Sequence, residues 1–426
     1  MRTKSCPRVP FLLTALLASA IFSAFAPVGR TQSTAPAHMN VPAPGALTGD
    51  HPAGPGHPPP PGPRFGDPLP NLTAEQLLAF GDGLADFLQV ETVASGLGPV
   101  FNNVSCVACH FAGGTGGGSR ITVIRYGRLL NGVFDPLTAQ GGTLLHEFAI
   151  APAAREFIPR AANVIAHRRT PPLFGAGMIE AIPDEAILHN ALAAKPDGVK
   201  GRASLIVDVA SGLPRVGHFG WKGQHATLLS FAADAYLNEI GITSRFFPHD
   251  IAPNGNTNLL KQFDTVADPE DQADPATGKA DVDKAADFMR LLGSPFALPL
   301  TASAKVGQTN FSQAGCAVCH QPAMMTGTSP VMSLSLKVVP LYSDLLLHDM
   351  GSLGDGIAQA SAGTREMRTP PLWGLRANES FLHDGRAHTV DQAIRAHDGE
   401  AAPARDRYRR LTPQQQQQLL DFLRSL

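Results

Sequence analysis

One five-residue pattern constrains this chain more than any other, and it occurs twice: Cys106-Val-Ala-Cys109-His110 and Cys316-Ala-Val-Cys319-His320. Two thiols three residues apart lie on one helical turn, and an imidazole follows at once. Both sulfurs can then bond to the two vinyl groups of one porphyrin while the histidine turns to its iron, which is the attachment signature of c-type haem. A four-cysteine zinc site wants its two pairs much closer together. Neither zinc nor a pair of redox dithiols asks for a histidine after each second cysteine. Two covalently bound haem c groups are therefore expected. Cys106, Cys109, Cys316 and Cys319 would attach them, and His110 and His320 would be axial ligands. A chain holding two porphyrins must build its cores around them.

The other cysteine, Cys6, sits in a leader. Arg2, Lys4 and Arg8 form a basic start, Phe11 to Phe25 is apolar, and Ala24-Phe25-Ala26 is a small-x-small cleavage site. Pro27 is unfavourable directly after a cut, and an uncleaved anchor is the competing reading, but the apolar run is short for a membrane span. Residues 1–26 are read as a signal peptide, so the protein is periplasmic or otherwise exported, with no stable membrane insertion afterwards. Export suits haem c, which is attached outside the cytoplasm. The formal charge of −2 points to neither nucleic acid nor an acidic membrane surface. Calcium is a possible further ion, though the sequence does not indicate it.

At 426 residues there is room for two or three domains. Residues 27–70 read as a disordered or polyproline-like linker rich in Pro and Gly. Thr73 and Gln76 form a capping box for a helix expected to end or kink near Gly81 or Gly83. Gly113 to Ser119 reads as a flexible strap over the first haem, and Ile121 to Tyr126 as a short strand. Leu228 to Tyr236 and Asp281 to Leu292 have helical spacing, with an acidic surface loop from Asp264 to Asp283. A boundary near Gly293-Ser-Pro295 gives an N-terminal haem domain, 71–295, and a C-terminal cytochrome c domain, 296–426. The latter opens with a helix from Ser303 and closes with one capped by Thr412. Phe101 and Phe311 each stand five residues before a motif, a place similar to that where small cytochromes c commonly carry an aromatic on the helix leading to the haem.

A second echo links the halves. Arg169-Thr-Pro-Pro-Leu-Phe-Gly175 matches Arg368-Thr-Pro-Pro-Leu-Trp-Gly374, with Glu180 and Glu379 each five residues further on. Ala186-Ile187 then answers Ala393-Ile394. Each motif is thus followed at long range by the same segment, as in a duplicated unit.

These residues resemble the bacterial di-haem cytochrome c peroxidase superfamily, and most closely its di-haem oxidoreductase branch, sometimes labelled thiol oxidoreductase. The likeness runs from about residue 72 to the end. It is fullest in Thr369-Pro-Pro-Leu-Trp-Gly-Leu, His383-Asp-Gly-Arg386 and His348-Asp-Met-Gly351, with Gly96-Leu-Gly-Pro-Val-Phe-Asn103 and Phe219-Gly-Trp-Lys222 fitting in the first half. It implies a mainly α fold of two cytochrome c-like domains, the first enlarged by long loops with room for short strands. It also implies that electrons enter at a six-coordinate C-terminal haem and that an oxidant, hydrogen peroxide first among them, is reduced at the N-terminal haem. A small redox protein would be the electron donor. The sixth ligand should come from just past Ala393-Ile394, which is His397 here, where many relatives have methionine; Met350 and Met367 are rivals.

Around the first haem the distal candidates are His146, His167 and His189, with His167 the best placed. Glu180 is the candidate for proton transfer to peroxide, although its twin Glu379 in the electron-transfer half favours a structural role for both. Arg386 is read as a propionate partner or a surface ion pair. The rival readings of the whole chain are an electron-transfer cytochrome without substrate and a dioxygen-using di-haem oxygenase. A thiol oxidoreductase is disfavoured, because every cysteine outside the leader is committed to haem.

Overall fold

The computed structural model describes residues 62–426. The expected signal peptide and most of the linker lie outside the described residues. The linker's last residues do not match the expectation of disorder. Leu69 is buried and donates its N–H to Leu291 O at 2.7 Å, and Gly293 N–H reaches Asp67 O at 2.9 Å. The Pro/Gly-rich composition hid an apolar Leu69 with a docking place.

The first helix, Ala74–Phe87, starts with the expected Thr73/Gln76 capping box. It runs straight through both glycines. Gly83 lies where the helix crosses Asp281–Leu291, and a Cβ there would stand 2.3 Å from Lys284 O. The glycine allows close approach instead of ending the helix. Phe80 and Phe87 meet Phe288 across this crossing, at ring distances of 5.3 and 4.6 Å.

The short strand expected at Ile121 to Tyr126 is the centre of a four-stranded sheet. Thr122–Leu130 pairs antiparallel with Val133–Asp135, Leu144–Leu145 and Val164–Arg169. Phe101 lies in a two-residue strand against Phe148, so it is not on a helix leading to the motif. Phe311 does sit on such a helix, Ala302–Gln313.

In the C-terminal half that helix packs against Pro413–Ser425, which has Thr412 as cap and Pro413 in its first turn. Phe311, Tyr408, Leu419, Phe422 and Leu423 form the core between them. Burying each such side chain stabilises by about 1.5–3 kcal/mol.

The internal echo folds alike in both places. Arg169 ends the strand Val164–Arg169, and Arg368 ends Glu366–Arg368. Each is followed by Thr-Pro-Pro and a left-handed glycine that opens a helical turn, Gly175 at φ 70° and Gly374 at φ 71°. Only glycine takes that conformation without strain. The two segments are tied together: Trp373 Nε1 donates to Phe174 O, and Trp221 bridges them, its Nε1 donating to Arg169 O and its carbonyl accepting Arg368 N–H, all at 2.9 Å.

Candidate functional site

Both Cys-x-x-Cys-His motifs adopt one turn. His110 N–H bonds Cys106 O at 3.0 Å, and His320 N–H bonds Cys316 O at 2.9 Å. All four thiols are free. Burial pushes Cys109 and Cys316 up to about 12, which makes them poor redox dithiols.

The imidazoles are held alike too. His110 Nδ1 lies 3.1 Å from Gly117 O, and His320 Nδ1 lies 3.0 Å from Tyr342 O. A carbonyl accepts only from a protonated nitrogen, so each ring keeps Nε2 as the bare, metal-binding atom. Burial lowers both histidines to about 4, which keeps them neutral. Each sits deep in the fold yet is only half-buried by exposure, so each faces an internal space. The Gly113–Ser119 strap is correspondingly not loose. Residues 114–119 are buried, because Gly117 must present its carbonyl to His110.

At the C-terminal motif a long cavity is lined by Cys316, Cys319, His320, Met350, Met367 and His397. The rings of His320 and His397 stand 6.4 Å apart, centre to centre. Two imidazoles sharing one metal at about 2 Å per bond, with about 1 Å from nitrogen to ring centre, need about 6 Å. His397 Nδ1 lies 2.7 Å from Ala393 O, so its Nε2 is also the bare atom. His397 is the C-cap of the helix Val390–Ala396, whose start is capped by Thr389. The residues present thus fit a metal held between two imidazoles.

The cavity continues past His383, Trp221 and Arg169 to Pro171, Pro172 and Phe174. His383 is buried with its ring edge-on to Trp221 at 6.4 Å, and burial pushes it down to about 4. His348 is buried beside Cys319; burial disfavours its charge, but Asp344 and Glu400 at 2.9 and 2.8 Å raise it to about 12. Arg386 is exposed and pairs with Asp384.

Glu180 does not line this cavity. Its Oε1 accepts Leu228 N–H at 2.7 Å, and its Oε2 accepts Arg290 Nε at 2.7 Å. It anchors the start of the Leu228–Ala235 helix, which leaves neither oxygen waiting for a proton. Its twin Glu379 is on the surface, paired with Arg120. Of the three distal candidates, His167 and His189 are exposed. His146 is buried, with Nδ1 2.8 Å from Glu156. His167 points outward because its strand alternates faces.

The N-terminal motif has other polar neighbours. Asn103 Nδ2 donates to Cys109 Sγ at 3.5 Å, and Asn103 N–H to Glu239 O at 3.1 Å. Glu239 sits in a π-helical turn, Tyr236–Ile240, that continues Leu228–Ala235. One turn earlier, Asp234 meets His225 Nε2 at 3.3 Å and still keeps 27% of its side-chain surface free, deep in the fold. Arg125 Nε is buried without a partner. Burial raises Glu239, and the Arg125 charge opposes that. Arg125, His225, Asp234 and Glu239 were not singled out by sequence. The available signal was two carboxylates inside a largely apolar helical stretch, 228–240.

The family model described as "Di-haem oxidoreductase, putative peroxidase" matches residues 160–426. No curated protein matches the chain. Among solved structures, hydrazine synthase of Kuenenia stuttgartiensis is similar at 15% identity over 98% of this chain and 99% of that one, with a TM-score of 0.38. A MauG-like protein associated with microbial copper homeostasis is similar at 16% identity over 60% and 89%, with a TM-score of 0.31. The diheme peroxidase BthA from Burkholderia thailandensis E264 is similar at 16% identity over 61% and 81%, with a TM-score of 0.30.

Proposed function

The chain belongs to the di-haem oxidoreductase family, and from that premise we propose a periplasmic enzyme of peroxidase type with two covalent haem c groups. Electrons from a small redox protein enter at the C-terminal haem, and hydrogen peroxide is reduced at the N-terminal one. Haem supplies the electron-transfer and oxidant chemistry, while the protein sets ligation, access and potential.

In this reading Cys106 and Cys109 attach one haem, with His110 as its ligand. Cys316 and Cys319 would attach the other, and His320 and His397 would both hold its iron. The observation that carries the reading is the His320–His397 pair. The rings stand 6.4 Å apart in one cavity, each with Nδ1 committed to a backbone carbonyl. A bis-imidazole iron suits electron entry, because it leaves no position for substrate and has a lower potential than a His/Met iron.

Among the described residues, the ring contacts pair no second histidine with His110 in this way. The groups suited to move a proton there are Asp234, His225 and Glu239, with Arg125 favouring negative charge beside them. Glu180 is assigned the structural role that its two occupied oxygens support. Export of the chain is supported by the basic, then apolar, leader in the sequence. No helix among the described residues is long and apolar enough to cross a membrane.

The test is His397→Ala in the purified holoprotein, read by optical and EPR spectra and by peroxide-dependent oxidation of a reduced small cytochrome. Loss of one low-spin centre with loss of donor oxidation is expected. An unchanged low-spin spectrum would sink the assignment.

A further inference from the structure

The acidic stretch read from sequence as a surface loop brings three carboxylates to one point, where they meet a fourth from outside it, Asp250. One oxygen from each of Asp250, Asp264, Asp268 and Glu270 lies within 4.8 Å of the others. They come from both sides of a short helix, Thr257–Phe263, so the chain leaves and returns to make the cluster.

Little on the protein offsets this charge. Thr243 supplies neutral donors: its Oγ1 bonds Asp268 at 3.1 Å, and its N–H bonds Glu270 at 2.8 Å. His249 stands 3.9 Å from Asp268, but its side chain is 87% exposed. No lysine or arginine among the described residues forms an ion pair with any of the four. Both carboxylate oxygens of Asp250 are closed off from solvent and have no hydrogen-bond donor at all. A dry, donorless carboxylate facing three others is a strongly unfavourable arrangement unless something positive sits among them.

The donor set selects the ion. Every ligand is a carboxylate oxygen, with no thiolate or imidazole, which disfavours zinc and copper. Magnesium keeps several waters and is seldom held in an all-protein cage, whereas calcium takes six to eight oxygens at about 2.4 Å. Ligands on opposite sides of one calcium ion therefore stand about 4.8 Å apart, so four oxygens within that distance of one another can share one ion.

We propose that Asp250, Asp264, Asp268 and Glu270 form a calcium site, separate from the two cysteine–histidine motifs, that fastens the loop between Thr243 and Asp271. Its two ends explain what it would steady. Just before Thr243 is the π-helical turn carrying Glu239. Asp271 accepts the N–H groups of Asp281 and Val282 at 2.7 and 3.2 Å, at the start of the helix Asp281–Leu291. That helix places Phe288 against Phe87, whose ring lies 5.9 Å from His110. The ion braces the wall of the N-terminal site from outside, and the proposal stands whatever oxidant that site uses.

The experiment uses the full holoprotein, stripped with a chelator and titrated with calcium by calorimetry, with thermal melting alongside. One calcium per chain and a melting point that rises by several degrees are expected, with magnesium much weaker. In Asp250→Asn the calcium affinity should fall at least tenfold and the rise should vanish. Without calcium, Asp250→Asn should melt higher than the wild type, because it removes an acid that burial and three neighbouring carboxylates disfavour; this separates lost binding from lost folding. A wild type that takes up no calcium at millimolar concentration would overturn the proposal. So would a calcium response that Asp250→Asn leaves intact, and an equal response to magnesium would overturn the choice of ion. The haem spectra are a separate readout, so failure here leaves the peroxidase reading untouched, and the reverse.

Discussion

Glu180→Gln separates a structural from a catalytic glutamate. The substitution keeps the size of the side chain and an oxygen for Leu228 N–H but removes the charge. A hydrogen bond to a charged acceptor contributes about 1 kcal/mol more than one to a neutral acceptor. The ion pair with Arg290 is partly screened, with 28% and 18% of the two side chains exposed, so its loss costs about 1 kcal/mol. Arg290 is not orphaned, since Asp287 remains at 2.8 Å. The sum is about 2 kcal/mol, or roughly 2–4 °C of melting temperature for a chain this long. Peroxide turnover at a temperature well below the melt should stay within about twofold of wild type, because a group with both oxygens occupied moves no proton. Removing a general acid–base group costs about 10²–10⁴ in rate. A fall of that size with unchanged melting would refute the reasoning.

Three further outcomes follow from buried groups. Lys222 is fully buried, with Nζ donating to Gly363 O and Glu366 O and pairing with Asp355 at 2.9 Å. Lys222→Met should cost about 3 kcal/mol or more in denaturant unfolding, because two carbonyls and a buried carboxylate lose a partner. Asp86 is raised from 3.8 to about 8, first by burial. It is protonated when folded and ionised when unfolded across that window, so it makes stability fall as pH rises from about 4 to 8. Asp86→Asn should flatten that slope in melting curves, and an unchanged slope would count against it. Met350→Leu and Met367→Leu should each leave the low-spin spectrum as in wild type; loss of a low-spin centre in either would move the sixth ligand from His397 to that sulfur.

What was legible in the sequence was local or duplicated. The Thr73 and Thr412 caps depend on residues three apart, and both formed. The Arg-Thr-Pro-Pro echo carries its own turn chemistry in a left-handed glycine, so the copies fold alike. His397 was named through the family resemblance, at the place just past Ala393-Ile394, and its ring stands 6.4 Å from that of His320, centre to centre. What was missed depends on distant pairing. Thr122–Leu130 recruits Val164–Arg169 from some forty residues away, and that strand turns His167 to the surface. The Gly113–Ser119 strap reads as flexible by composition, yet one carbonyl in it holds His110. Asp234 and Glu239 look like interruptions of an apolar helix until Arg125 and His225 are folded beside them.

The central claim is that the two haem sites are unequal, one closed by His320 and His397 and one open beside His110. EPR of the oxidised holoprotein, with carbon monoxide titration of the reduced form, tests this directly. The account predicts one low-spin bis-imidazole centre that ignores carbon monoxide and one centre that binds a single equivalent per chain. Two low-spin centres and no carbon monoxide uptake would contradict it and leave an electron carrier in its place.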